Sequence, residues 1–165
     1  MIKNLFGKMI HNNPFNNPLE VGLRLLCILN EAYPKKISLQ SLIYVDYIII
    51  HSGDFDNAVD SIHAPVPYRE SEIYIRRNLI KSSLDFLLNK SLIDISYDAN
   101  GITYLASENS TSFLENLSEN YTLELIKRVS WFFNKYESID ESILIDIFYK
   151  KNNLTHAEFN LAILK

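Results

Sequence analysis

The sequence predicts a mainly α fold with one β-hairpin, and three observations carry that prediction. Apolar residues recur at three- and four-residue spacing through residues 19–30, 39–50 and 73–88, and again beyond residue 120. The first two runs each follow a capping residue, Asn17 and Ser38. One stretch switches to alternation, Leu92–Tyr97 and Ile102–Leu105, with Asn100-Gly101 between its halves. The 165 residues suit one domain of ordinary size, and 47% hydrophobic against 22% charged is enough to build a core.

The first helix begins at Asn17-Pro18. Asn17 can accept from the free amides, Pro18 fits the first turn, and Glu20 suits the positive end of the dipole. Leu19, Leu23 and Leu26, with Leu25 and Leu29 beside them, carry it to a stop before Pro34, with Cys27 as a core thiol. The second helix runs from Leu39 to Ile50 behind Ser38. Its β-branched end, Tyr47–Ile50, is continuous with the helical pattern, and Gly53 is expected to close it in a left-handed conformation. Residues 53–70 show neither period and hold Pro65 and Pro67, which predicts a long loop of the kind that carries function.

The third helix spans about Ser71 to Asn89, with Ile73, Ile80, Leu84 and Leu87 inward and Arg76, Arg77 and Lys81 on the other side. In the hairpin, a two-residue Asn100-Gly101 turn sets Tyr97 opposite Tyr104. Three helices and then a hairpin is the order of a winged-helix-like domain, the hairpin being the wing. Further helices follow over Thr111–Leu117, Thr122–Tyr136, after Asp140, and after Thr155, where Glu158 completes a capping box. The domain reading is an N-terminal arm (1–16), a winged-helix-like domain (17–106) and a C-terminal helical extension (107–165).

Composition narrows the function. Sixteen basic and twenty acidic residues give −4, which disfavours whole-surface binding to nucleic acid. One cysteine excludes a disulfide framework or an all-cysteine zinc site, and four glycines leave little room for a phosphate loop. Without a signal or membrane-length apolar run, a cytoplasmic location with no membrane contact is expected.

Three groups of residues carry chemistry. His51, Asp54 and His63 are metal-capable, but their spacing is irregular, so the favoured role is to fasten the long loop by hydrogen bonds, with no cofactor and no metal. Arg69, Glu72, Arg76 and Arg77 form a second group, in which Glu72 and Arg76 stand at ion-pair spacing. Arg76, Arg77 and Lys81 could meet phosphates as in helix-turn-helix docking, or an arginine could pair with Asp46 or Asp54 and fix the loop. Residues 69–81 balance to only +2, too little to drive DNA binding alone. Trp131 falls off the apolar stripe of its helix and suits a partner interface. There is no G-x-S-x-G and no P-loop, and the expectation is a protein that is not an enzyme.

The segment Asn17-Pro18-Leu19-Glu20-Val21-Gly22-Leu23-Arg24, then Asp46-Tyr47, His51-Ser52-Gly53-Asp54-Phe55, Ser61-Ile62-His63, Pro67, Arg69, Glu72 and Arg76-Arg77, resembles the middle component of bacterial ABC three-component systems. It is similar to the accessory subunit of Lamassu-type anti-phage defence. Ala64 separates His63 from Pro65, where the family pattern has proline directly after the histidine. The resemblance implies a non-catalytic adaptor that joins an SMC/Rad50-like ATPase subunit to an effector subunit, often a nuclease, with DNA reached through the complex. The alternative is a winged-helix DNA-binding transcriptional regulator.

Overall fold

The computed structural model describes residues 17–64, 72–99 and 101–152; of residues 72, 74 and 152 it describes the backbone only. Helix α1 is Pro18–Ala32, opened by Asn17, whose Oδ1 accepts from the amides of Leu19 and Glu20 at 3.0 and 2.9 Å. Strand β1 is Ile37–Ser38, and Ser38 then caps α2, Leu39–Ile50, through its bond from the Ser41 amide. A single-turn helix α3, Ser52–Phe55, follows at once. The expected left-handed stop at Gly53 is not found: α2 ends at His51, and Gly53 lies inside α3. Among the described glycines only Gly101 has a positive φ, +119°.

Helix α4 is Glu72–Asn89, and the wing is β2, Ile93–Asp98, with β3, Gly101–Ala106. The first strand extends the wing. Ile37 and Ser38 pair with Tyr104 and Thr103, giving a three-stranded antiparallel sheet ordered β1-β3-β2. A two-residue strand has no period to read, so the sequence shows only the hairpin.

The wing register also differs from expectation. Tyr97 stands opposite Ile102, and Tyr104 opposite Ile95. The pair Asp98–Gly101 closes the turn, so Gly101 supplies its unusual φ at the strand edge rather than within the turn. A slip of two residues keeps each side chain on its face, which is why the alternation alone cannot detect it.

Helices α5, Asn109–Glu115, α6, Asn120–Lys135, and α7, Glu141–Asn152, complete the described chain. The helix expected after Thr155 lies outside the described residues. The whole is mainly α and winged-helix-like, with seven helices among the described residues.

The core is centred on α2. Ten of its twelve residues are buried, because α1 and α4 cover one side and α6 and α7 the other. Phe148 of α7 meets Tyr44 and Tyr47 edge-on, with ring centroids 5.5 and 5.1 Å apart, an arrangement favoured by aromatic quadrupoles. Leu125, Val129 and Phe132 of α6 join the same core as Leu25 and Leu29 of α1, so the helices after the wing are part of one interior. Cys27 is buried there, and burial pushes its thiol up to about 12, consistent with a packing role.

Candidate functional site

Residues 51–64 form a compact strap whose ends meet. The amide of His63 donates to the carbonyl of Ile50 at 3.1 Å, satisfying a carbonyl at the open end of α2. Inside the strap, Ser52 Oγ donates to Asp60 O at 2.9 Å, the Gly53 amide to Ser61 Oγ at 3.1 Å, and the Ala58 amide to Asp56 Oδ1 at 3.0 Å. Loops closed in this way by their own polar groups are recurrent functional elements. Gly53 sits where a side chain would be crowded. A Cβ there would come within 3.0 Å of Ser61 Oγ and 3.1 Å of both Ser61 N and Val59 O.

Below the strap lies a buried charge network. Arg24 grips Asp46 with two bonds, Nε to Oδ1 at 2.6 Å and Nη2 to Oδ2 at 3.1 Å. Arg76 Nη1 reaches the same Oδ2 at 2.7 Å, and Arg24 Nη1 reaches Glu20 Oε1 at 3.0 Å. Glu20 Oε1 also takes the Tyr121 hydroxyl at 2.7 Å and stands 3.2 Å from His63 Nε2. One network therefore ties α1, α2, α4, α6 and the strap together.

Its electrostatics follow from burial. Desolvation opposes the charge on Asp46, but Arg24 and Arg76 outweigh it and hold the carboxyl below its usual range. Desolvation likewise opposes the Arg24 charge, and the attraction and hydrogen bonding of Asp46, with Glu20 behind, raise its pKa above the ordinary value. Burial, then the bond to Glu20, pushes the Tyr121 hydroxyl above the phenol range.

Arg76 was expected on the outer side of its helix; it is buried and turned inward on Asp46. Its cross-helix bond to Asp46 is the internal pairing that the sequence offered as one alternative. Arg77 and Lys81 are exposed, and Arg77 Nη1 donates to Gln40 Oε1 at 2.9 Å. Arg69 and the side chain of Glu72 lie outside the described residues. His51 is buried with its ring tilted over Tyr47, 4.6 Å between centroids, and 6.4 Å from the ring of His63. Asp54 is half-buried in α3. Among the described residues no three histidine, cysteine or carboxylate side chains converge on a metal position.

Trp131, expected at a partner interface, is partly buried against the core, and its indole meets the strap. Its Nε1 donates to Asp56 Oδ2 at 3.2 Å, Lys135 Nζ donates to the same oxygen at 2.8 Å, and that ammonium lies 5.5 Å from the indole centroid. The Lys135 bond, followed by those from the Ala58 amide and Trp131, holds Asp56 down at about 2.

Glu20, Arg24, Asp56, Tyr121 and Lys135 were not singled out as chemistry. Arg24 and Asp46 did carry a signal. Each is a lone charge inside an apolar run, Leu23–Leu29 and Leu42–Ile50, and a charge so placed is nearly always buried against an opposite one.

The model of one family, ABC-three component (ABC-3C) system Middle Component 2, matches residues 14–158. The chain belongs to that family. No curated protein and no solved structure matches it. As a middle component of an ABC three-component system, the chain has an adaptor role among protein partners. The residues named from the family resemblance in the sequence now have a common meaning. Glu20, Arg24, Asp46, His63 and Arg76 of this middle component are members of one buried network. No described helix is long and apolar enough to cross a membrane.

Proposed function

We propose that the chain is a non-catalytic adaptor that holds an SMC/Rad50-like ATPase subunit and an effector subunit together in an anti-phage defence complex of the Lamassu type. The observation that carries this reading is the character of the winged-helix face. A wing that docks on DNA needs cations for phosphates. This wing, residues 93–106, has Asp94 and Asp98 and no lysine or arginine. Just behind the Asp98–Gly101 turn stands the cross-strand pair Tyr97 and Ile102, 73% and 49% exposed. Arg76 is withdrawn into the interior. An exposed aromatic–apolar pair on an acidic wing suits a protein surface, where tyrosine is enriched.

The non-catalytic part of the reading is supported by what the buried charges do: Arg24 and Arg76 both bind Asp46 across helices. Arg77 and Lys81, exposed on α4, support a limited phosphate contact made within the assembled complex.

Co-expression with an SMC/Rad50-like ATPase from a neighbouring gene of the source genome tests the adaptor. The expected result is a stable complex on gel filtration that is lost in a Tyr97→Asp, Ile102→Asp variant of unchanged melting temperature. Elution of the wild-type chain alone in the presence of that ATPase would sink the proposal.

A further inference from the structure

Between α1, α4, α5 and the start of α6 runs an apolar groove of about 410 Å³. Leu19, Leu23, Phe86, Leu87, Phe113 and Leu117 line it. Leu19 and Phe113 are 57% and 44% exposed, so the groove is continuous with open apolar surface of the kind that marks an interaction site. Two acids stand in its wall, Glu20 and Glu119. Glu20 is held by Arg24 and Tyr121 through Oε1 and its Oε2 is buried, so exposed Glu119 is the charge that the groove offers. The groove thus asks for an occupant that is apolar on one side and cationic beside it.

Such a segment precedes it in the same chain. Residues 1–16 place Ile2, Leu5, Phe6, Met9 and Ile10 at the spacing that a helix gathers on one side. They contain Lys3, Lys8 and His11 and no aspartate or glutamate. Residues 2–10 arranged as a helix would be about 14 Å long. The connection is short, because Asn17, the cap of α1, itself lines the groove. Residues 11–16 can reach about 20 Å when extended, enough to return the apolar positions to any part of it.

We propose that residues 1–16 dock in this groove in cis, with Ile2, Leu5, Phe6, Met9 and Ile10 inward and Lys3 or Lys8 against Glu119. Tethering favours this occupant over a free one, since it raises the local concentration without any further contact.

Zero-length carbodiimide coupling of the full chain, with peptide mapping, tests the contact. The expected product is a Lys3–Glu119 or Lys8–Glu119 link in the monomer fraction. A Leu5→Asp, Phe6→Asp variant should lose that link by about tenfold or more, given the apolar burial removed. It should also bind an apolar dye more strongly, while its melting temperature stays close to that of the unsubstituted chain. Absence of the link, a link found only between two copies, or unchanged dye binding in the variant would each overturn the proposal.

Discussion

Two clusters of charge hold the 51–64 strap to the helices, one inside the molecule and one at its surface. The inner cluster is Glu20, Arg24, Asp46 and Arg76, with Arg24 and Asp46 fully buried and His63 reaching in from the strap. The outer one is Asp56 with Lys135 and Trp131, partly open to water. The distances are alike, 2.6–3.2 Å inside and 2.8–3.2 Å outside. The difference lies in what happens when a partner is removed. Water can take over at Asp56, whereas nothing replaces Asp46 between two buried guanidinium groups.

The largest expected effect therefore comes from Asp46→Asn. It leaves two buried arginines without a full counter-charge, which costs about 3–5 kcal/mol. Against a typical total of about 5–15 kcal/mol, that removes much of the stability, and a thermal melt followed by circular dichroism measures it. Replacing Arg24, Asp46 and Arg76 together by Met, Leu and Met should cost far less, because the desolvation penalty of the charges goes with them. A triple variant as unstable as Asp46→Asn would show that the network contributes geometry that apolar packing cannot reproduce.

Acid should act at the same point. The Asp46 carboxyl lies below its ordinary value of 3.8 in the folded chain. Its stabilisation is complete above that value and is lost as the pH falls below it. Denaturant melts at several pH values should therefore show stability falling on the acid side of 3.8, and Asp46→Asn should flatten that slope.

A smaller effect is expected at Gly53→Ala. The new methyl meets two backbone atoms of the strap at 3.1 Å. Overpacking of this kind costs about 1–3 kcal/mol, against which alanine returns about 0.5–1 kcal/mol as a better helix former. The net outcome is a modest fall in melting temperature and faster amide exchange confined to residues 51–64. Asp56→Ala should be the mildest. Because Trp131 is the one tryptophan in the chain, its fluorescence reports the outer cluster directly. The emission should shift as the indole N–H turns to water, with almost no change in melting temperature. A large destabilisation at Asp56 would erase the contrast between the two clusters.

The helices were legible because their signals are local. Asn17, Ser38 and the three-to-four spacing of leucines and isoleucines lie within a few residues of what they cause. The strap was legible as a break between helices, without its single turn α3, and the pairing of Asp46 with an arginine could be framed. What could not be read was which arginine. Arg76 sits one residue from Arg77, and helical periodicity alone left both on the outer side of α4. Only the position of α2 across that helix brings Asp46 to Arg76 and leaves Arg77 to Gln40.

The amino-acid sequence by itself determined the order of elements, the caps, the wing and the isolated charges within apolar runs, since each depends on near neighbours along the chain. The tertiary structure decided the third strand, the two-residue register of the wing, the inward turn of Arg76 and the meeting of Trp131 with Asp56. These contacts join residues far apart in the chain, and they exist only where packing brings one helix face against another.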